Sequence, residues 1–317
     1  MKIAILSRNG NLYSTKRLVE AALLKGHEVE VIDYIRCCLD INSLNPRVIY
    51  KGEILQYFDA VIPRIGASHT EYGTAVIRQF ESMKTYSVAS SIAIAKSRDK
   101  LRCLQILNKK GISIPVSSAC GSSEDIEQAI SVVGGCPLIG KLPEGTQGNG
   151  VILLESKAAA KSTVGALLSK GIPLIAQEFL EEAKGADIRC FVIGDKVVAA
   201  MKRQGAEGEF RSNLHQGGCG EAVKLSPEER KTAVRAAKAV GLPVAGVDLI
   251  RTSHGSCVIE INSSPGLEGI ETVSQVDVAG YIISYIEKNA PTNKSAMDEK
   301  RNHFDSVESS RKQLVTV

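Results

Sequence analysis

The chain has 317 residues, 44% of them hydrophobic, and a formal net charge of +4. That is enough apolar material for two or three domains with buried cores; the mild charge, with a pI near 8.5 and no basic run interleaved with aromatics, argues against a nucleic-acid binder. Eight cysteines are scattered without a Cys-x-x-Cys pair or a histidine at zinc-finger spacing, so they read as reduced thiols, and no apolar run is long enough to span a bilayer. The first apolar stretch is too short for a signal peptide, which makes the expected location cytoplasmic.

Residues 1–95 read as a small α/β layer: a strand from Ile3 to Leu6, a helix from Ser14 to Lys25, strands from Glu28 to Ile32 and Ala60 to Pro63, and a helix from about Tyr72. Asp33 ends the second strand where a ribose-binding acid would stand. The turn Ser7-Arg8-Asn9-Gly10-Asn11 nevertheless lacks the G-x-G-x-x-G that lets a backbone approach pyrophosphate, so the layer is Rossmann-like without a dinucleotide.

The pattern changes near Ser97. Residues 96–180 read as a helix from Lys100 to Lys109, strands around Val116 and Ile139, a glycine-rich loop, and strands near Val151 and Ile175. Residues 181–290 read as strands over Ile188 to Ile193 and Val197 to Met201, a helix from Pro227 to Val240, two further apolar strands, and a closing helix from Asp277 to Lys288. The polar tail, 291–317, has little apolar periodicity and reads as disordered.

Four groups of residues could carry chemistry. The loop Glu144-Gly145-Thr146-Gln147-Gly148-Asn149-Gly150 could turn backbone N–H groups toward a phosphate, and Lys141, in the apolar strand that enters it, needs an anion. Lys100 is a second cation near a helix start. Ser97-x-x-Lys100 also matches a serine-lysine nucleophile, but the companion elements are missing and Ser97 or Asp99 serves as an N-cap. Glu178 and Asp187 could offer acceptors to a base and a ribose, Arg189 could meet a phosphate, and Arg203 and Arg211 suit charge developing on transferred phosphate oxygens.

The fourth group is the most informative. In Val258-Ile259-Glu260-Ile261-Asn262, strand alternation puts Glu260 and Asn262 on one face and Ile259 and Ile261 on the other, while Asp248 sits in the apolar run Ala245 to Ile250. Carboxylates inside apolar strands are costly unless a cation holds them, and carboxylate and amide oxygens suit Mg2+.

Taken in order, the two lysines, the glycine loop, the Glu178 to Asp187 region, Asp248 and Glu260-x-Asn262 resemble the ATP-grasp carboxylate-amine ligases. Pro63-Arg64-Ile65-Gly66, Arg98-Asp99-Lys100-Leu101-Arg102, Asp187-Ile188-Arg189-Cys190, Phe210-Arg211-Ser212-Asn213-Leu214 and Ser264-Pro265-Gly266-Leu267-Glu268-Gly269-Ile270-Glu271 are similar to the RimK branch, over residues 1 to about 290. The resemblance implies a Rossmann-like pre-ATP-grasp domain followed by a two-lobed ATP-grasp fold. It implies Lys100 and Lys141 on ATP phosphates and the backbone of Glu178 and Phe179 facing adenine, with Asp187 on the ribose. Arg211, Ser212 and Asn213 would line the triphosphate, and Asp248, Glu260 and Asn262 would hold two Mg2+ or Mn2+ ions, Glu260 bridging them. Arg203 is assigned to the acyl-phosphate oxygens and Arg64 to a substrate carboxylate.

The implied activity adds L-glutamate to the C-terminus of small-subunit ribosomal protein S-six. Free poly-glutamate or a glutamylated cofactor is the alternative, and a regulatory subunit without turnover is set aside because the phosphate lysines and metal ligands are retained. Homo-oligomers occur among similar ligases and one is expected here. Gln204 departs from the pattern, standing where relatives often carry arginine.

Overall fold

The computed structural model describes residues 1–143, 145, 150–206, 208–212 and 217–291. The expected disorder of the tail, most of the glycine loop and the assignment of Asn213 therefore lie outside the described residues.

The apolar stretch at the N-terminus forms β1 (Lys2–Leu6), α1 (Tyr13–Leu24) crosses over, and β2 (Glu28–Ile32) returns parallel, with Leu6 opposite Ile32. A small antiparallel sheet follows that the apolar pattern did not separate: β3 (Cys37–Asp40), β4 (Arg47–Tyr50) and β5 (Glu53–Ile54). Then β6 (Ala60–Pro63), α2 (Thr70–Ser82) and β7 (Tyr86–Ser87) complete a parallel sheet of order β2-β1-β6-β7. The chain leaves β1 toward one neighbour and later returns to its other side, so the ends of β1 and β6, at Ser7 and Arg64, flank the crevice where open parallel sheets bind ligands. Asp33 takes no ribose role here: its carboxylate accepts from the Ile35 backbone N–H at 3.1 Å and caps a short turn.

Two helices, α3 (Ser91–Arg98) and α4 (Lys100–Lys109), meet at Asp99, which accepts the Arg102 backbone N–H at 3.0 Å. The Ser97 hydroxyl donates to the Ile94 carbonyl at 2.9 Å, a structural bond that supports setting the nucleophile aside.

A small lobe comes next, built from β8 (Ser117–Ala119), α5 (Ile126–Val132), β9 (Leu138–Lys141), β10 (Val151–Leu154), α6 (Lys157–Leu168) and β11 (Ile175–Glu178). Its antiparallel sheet runs β10-β9-β11-β8, and the helices cover one face around Ile126, Ile130, Leu138, Leu154, Val164 and Leu174. Among the described residues this interior forms a cluster of its own.

The remaining elements are β12 (Ala186–Ile193), β13 (Lys196–Gln204), β14 (Cys219–Ala222), α7 (Pro227–Val240), β15 (Val244–Thr252), β16 (Gly255–Asn262), α8 (Glu268–Ser274) and α9 (Val278–Asn289). Helix α7 starts with Pro227 after a reciprocal capping box between Ser226 and Glu229 and ends at Gly241, where φ is 85°. The strands form an antiparallel sheet of order β14-β13-β12-β15-β16. Unlike the small lobe, this sheet shares its interiors with the first layer: Leu6 and Val61 belong to one buried cluster with Cys190, Val247 and Ile261, and Ile3 and Ile5 to another with Phe191, Ile270 and Ile282. No helix among the described residues is long and apolar enough to cross a membrane.

Candidate active site

The small-lobe sheet and the five-stranded sheet face each other across a cleft of about 960 Å³, its open mouth included. Ten of the residues singled out from the sequence line it: Lys100, Lys141, Glu178, Phe179, Asp187, Arg203, Arg211, Ser212, Asp248 and Glu260. Asn262 lies one alternation further along β16, where its side-chain amide donates weakly to Asp248 at 3.4 Å.

Strand pairing explains the meeting of the acids. Asp248 on β15 stands opposite Glu260 on β16, and Gly246 opposite Asn262. The register then slips, Leu249 pairing with Val258, so Ile259 is an inserted residue. Plain alternation, the expectation from sequence, would have turned Ile259 away from Glu260. The bulge instead lets both line the cleft, a local re-aiming that bulges commonly provide beside active sites.

The cations around the acids also differ from expectation. Asp248, 1% exposed, accepts from Arg189 Nε at 2.8 Å and Nη2 at 2.7 Å, and Arg203 Nη2 lies 3.0 Å from the same carboxylate. Arg203 is itself buried and grips Asp187 with two bonds, one of 2.7 Å from Nε. The counter-charge for Asp248 is thus supplied by two guanidiniums of the chain. Arg189, expected to meet a phosphate, is committed to Asp248, and Asp187, expected on a ribose, is held by Arg203 and by the Ser212 hydroxyl. Burial works against the charge on Asp248, but Arg189 and Arg203 outweigh it and hold the acid below the usual range; Asp187 is pushed up by burial and by the charge on Asp248.

Glu260 is different. Its carboxylate has no hydrogen-bond partner among the described residues, and the Asn262 carbonyl oxygen is likewise unused. Among the described residues no three His, Cys, Asp or Glu side chains are grouped to hold a metal ion. An Asp, a Glu and an Asn that leave most positions to phosphates and water fit Mg2+, which keeps part of its shell from those sources. For Asp248 to take part, lone pairs now facing Arg189 and Arg203 must serve the ion.

Lys141, half-buried, sits at the end of β9 and lines the cleft. Burial pushes its pKa down to about 8, Lys100 adds to this, and Glu260 and Asp248 oppose it. Lys100 approaches from the body of the protein, its backbone N–H donating to Pro143 at 3.1 Å and its ammonium to the Gly145 carbonyl at 2.9 Å. Glu178 turns its carboxylate outward to the Val116 N–H at 2.7 Å. Arg211 is folded onto Glu209, with bonds of 3.0 and 2.9 Å, and its segment packs so closely on Gly185 (φ 70°) and Gly205 that a β-carbon at either would strike backbone. Gln204 donates through Nε2 to the Lys184 carbonyl at 2.8 Å.

The sequence reading missed the apolar wall: Ile139, Val151, Leu180, Ile250 and Ile259 also line the cleft. A signal for one was present, since Ile139 stands two residues from Lys141 and must share its face. Such a wall beside clustered lysines and arginines suits a flat heterocycle joined to phosphates.

Two antiparallel sheets closing on a cleft of lysines, arginines and carboxylates, behind a parallel α/β layer, define an ATP-grasp enzyme. The RimK-like ATP-grasp domain family matches residues 97–286 and the RimK pre-ATP-grasp domain family matches residues 1–94. A probable alpha-L-glutamate ligase of Picosynechococcus is 61% identical over 295 residues, covering 93% of this chain and 98% of the relative; one of Hydrogenovibrio crunogenus is 59% identical over 290, covering 92% and 96%. Among solved structures, the ATP-grasp ligase PsnB complexed with a minimal precursor has a TM-score of 0.71 at 25% identity, covering 91% of this chain and 99% of that one. A RimK domain protein from Sphaerobacter thermophilus has a TM-score of 0.69 at 22% identity, covering 90% and 99%. The chain belongs to the RimK family and is an ATP-grasp ligase.

Proposed function

We propose that this ligase adds L-glutamate to the C-terminal carboxylate of a protein acceptor, small-subunit ribosomal protein S-six, with ATP and Mg2+. The observation that carries this reading is the convergence of Lys100, Lys141, Arg203 and Arg211 on the same cleft as Asp248 and Glu260. The curated relatives named as alpha-L-glutamate ligases support the choice of amino acid.

ATP, when bound, supplies the phosphoryl group that activates a carboxylate for attack by an amine. The chain's own residues bind and orient. Lys100 and Lys141 hold phosphate charge, the apolar wall and the Glu178 and Phe179 backbone hold the base, and Arg203 faces charge developing on the acyl group. Glu260 and Asn262 offer the metal oxygens not already bonded, with Asp248 behind them. The α-amine of free glutamate, beside its own carboxylate, is almost wholly protonated at pH 7, and a general base that freed it would save only a few kcal/mol. Holding the reactants together is worth about 7 to 11 kcal/mol, so positioning outranks base catalysis and no His or Cys is required.

Lys141 gives the site a pH signature. Between about 8 and its unfolded value of 10.5 the unfolded chain binds more protons, so the empty protein gains stability as pH rises through that window. Nucleotide binding should run the opposite way, because phosphate restores the ammonium. ADP affinity is expected to be flat below about pH 8 and to fall above it by up to ~10-fold per unit, with proton uptake visible in calorimetry. A flat wild-type profile to pH 9.5 would take Lys141 off the phosphates.

The reaction is tested by mass spectrometry of the full chain with Mg-ATP and glutamate, with and without recombinant ribosomal protein S-six. Glutamate-sized mass steps on that protein are expected. Free glutamate oligomers would move the acceptor to glutamate itself, and ADP without either product would reject both.

A further inference from the structure

A second cluster of charge lies outside the cleft lining, where the crevice of the parallel sheet meets the end of β16. Arg64 follows β6 directly, its backbone N–H donating to Leu6 at 2.9 Å. Arg98, at the end of α3, donates through Nη2 to the Ile65 carbonyl at 2.6 Å and so stands beside the same loop. The segment after Asn262 reaches the loop too, as Ser264 Oγ donates to the Pro63 carbonyl at 3.5 Å.

Several polar atoms of these segments are unspent. The Arg64 guanidinium has no hydrogen-bond or ion-pair partner among the described residues. Arg98 Nε and the Ser263 hydroxyl are buried without a partner, and Ser263 is 6% exposed. Burial pushes Arg64 down to about 10, and the charge of Arg98 adds to the push; burial likewise lowers Arg98, against the pull of Glu260 and Tyr34. Glu260 lines the cleft, so the arginine pair lies against the reaction site. Two guanidiniums kept close together and without a paired carboxylate cost stability, and a dianion would relieve the cost.

We propose that Arg64 and Arg98, with the Ser263 hydroxyl, receive the two unreacted carboxylates of the incoming amino acid and so select a dicarboxylic one. The inference rests on the glutamate-ligase reading and specifies its amine subsite. Two facts of charge favour the amine substrate over the acceptor. Glutamate with a neutral amine carries two negative charges, matching the two guanidiniums. The acceptor's carboxylate must lose its charge in forming the amide, and a strong cradle would hold its ground state back.

The test is calorimetric titration of L-glutamate and L-glutamine into the full chain with Mg-ADP, alongside steady-state kinetics with glutamate varied, for wild type, Arg64→Met and Ser263→Ala. Arg64→Met is expected to weaken glutamate binding and raise its KM by roughly 10- to 100-fold, the loss of a charge-assisted contact, with the KM for ATP within about twofold. The wild-type preference for glutamate over glutamine should shrink in step. Its Tm should be equal or higher, because the guanidinium removed has no protein partner. Ser263→Ala, which deletes one unpartnered hydroxyl, should weaken glutamate several-fold and serves if Arg64→Met fails to fold. If wild type couples glutamate and both variants keep its affinity, this inference is overturned alone. If wild type neither binds nor couples glutamate, the parent reading falls and takes this one with it.

Discussion

Arg203→Met is expected to destabilise the protein by about 3 to 5 kcal/mol, the cost of leaving buried acids without their shared cation. Arg203 and Asp187 are 4% and 5% exposed and Asp248 is 1% exposed, so water from the cleft can replace little of the charge. Arg189 would still hold Asp248, but Asp187 would keep only the Ser212 hydroxyl. Methionine is close in volume, so the loss comes from charge rather than a cavity. Denaturant unfolding of the single variant and of Arg203→Met with Asp187→Asn checks this: the second change, which removes the orphaned charge, should recover much of the loss. Additive losses would mean that Asp187 is not the acid left uncompensated. A fall in kcat for Arg203→Met alone therefore does not identify a contact with the reacting oxygens; it must be read at a temperature where the variant is folded.

Glu260→Gln should do the reverse, leaving stability near wild type while lowering kcat by about 100- to 1,000-fold, the range for losing a group aimed at developing charge. Its carboxylate makes no hydrogen bond within the described residues, so the amide breaks none. The same change removes an anion that supports the charge on Lys141 and Arg98, so both should lose protons more easily. The predicted onset of weakened ADP binding then moves below about pH 8. Near-normal turnover of Glu260→Gln at saturating Mg2+ would sink its assignment as a metal ligand.

Sequence alone revealed the strands well where apolar runs are bounded by turns: β2 and β6 have the expected ends, and α4 and α7 the expected lengths. It did not separate β3 to β5, whose strands are as short as two residues and turn at Lys51-Gly52 with positive φ, nor α5 and α6, whose apolar faces are narrow. At the site, residue types and order led to ten of the cleft residues. They did not reveal who pairs with whom. An acid in an apolar strand demands a cation, and sequence cannot say that arginines from neighbouring strands also answer; Asp248 is bonded to Arg189 and lies beside Arg203. Nor does periodicity show a single inserted residue, and the slip at Ile259 changed what faces Glu260. Arg98, noted only as part of a motif, and Ser263 received no role from the sequence because what sets them apart is bonds they do not make, visible only once the surroundings are known.

The small lobe's private interior bears on how the enzyme measures its ligand. Lys141, Ile139 and Val151 ride on that lobe, while Asp187, Arg203 and Glu260 ride on the sheet fused to the first layer. Among the described residues no shared apolar core sets the distance between these two groups, so the gap between them can follow its contents. A molecule touching only one wall gains one set of contacts, whereas one spanning both, with a base at one end and phosphates at the other, also fixes the spacing. The cleft then works like a caliper, reading the length of a nucleotide as well as its chemical groups.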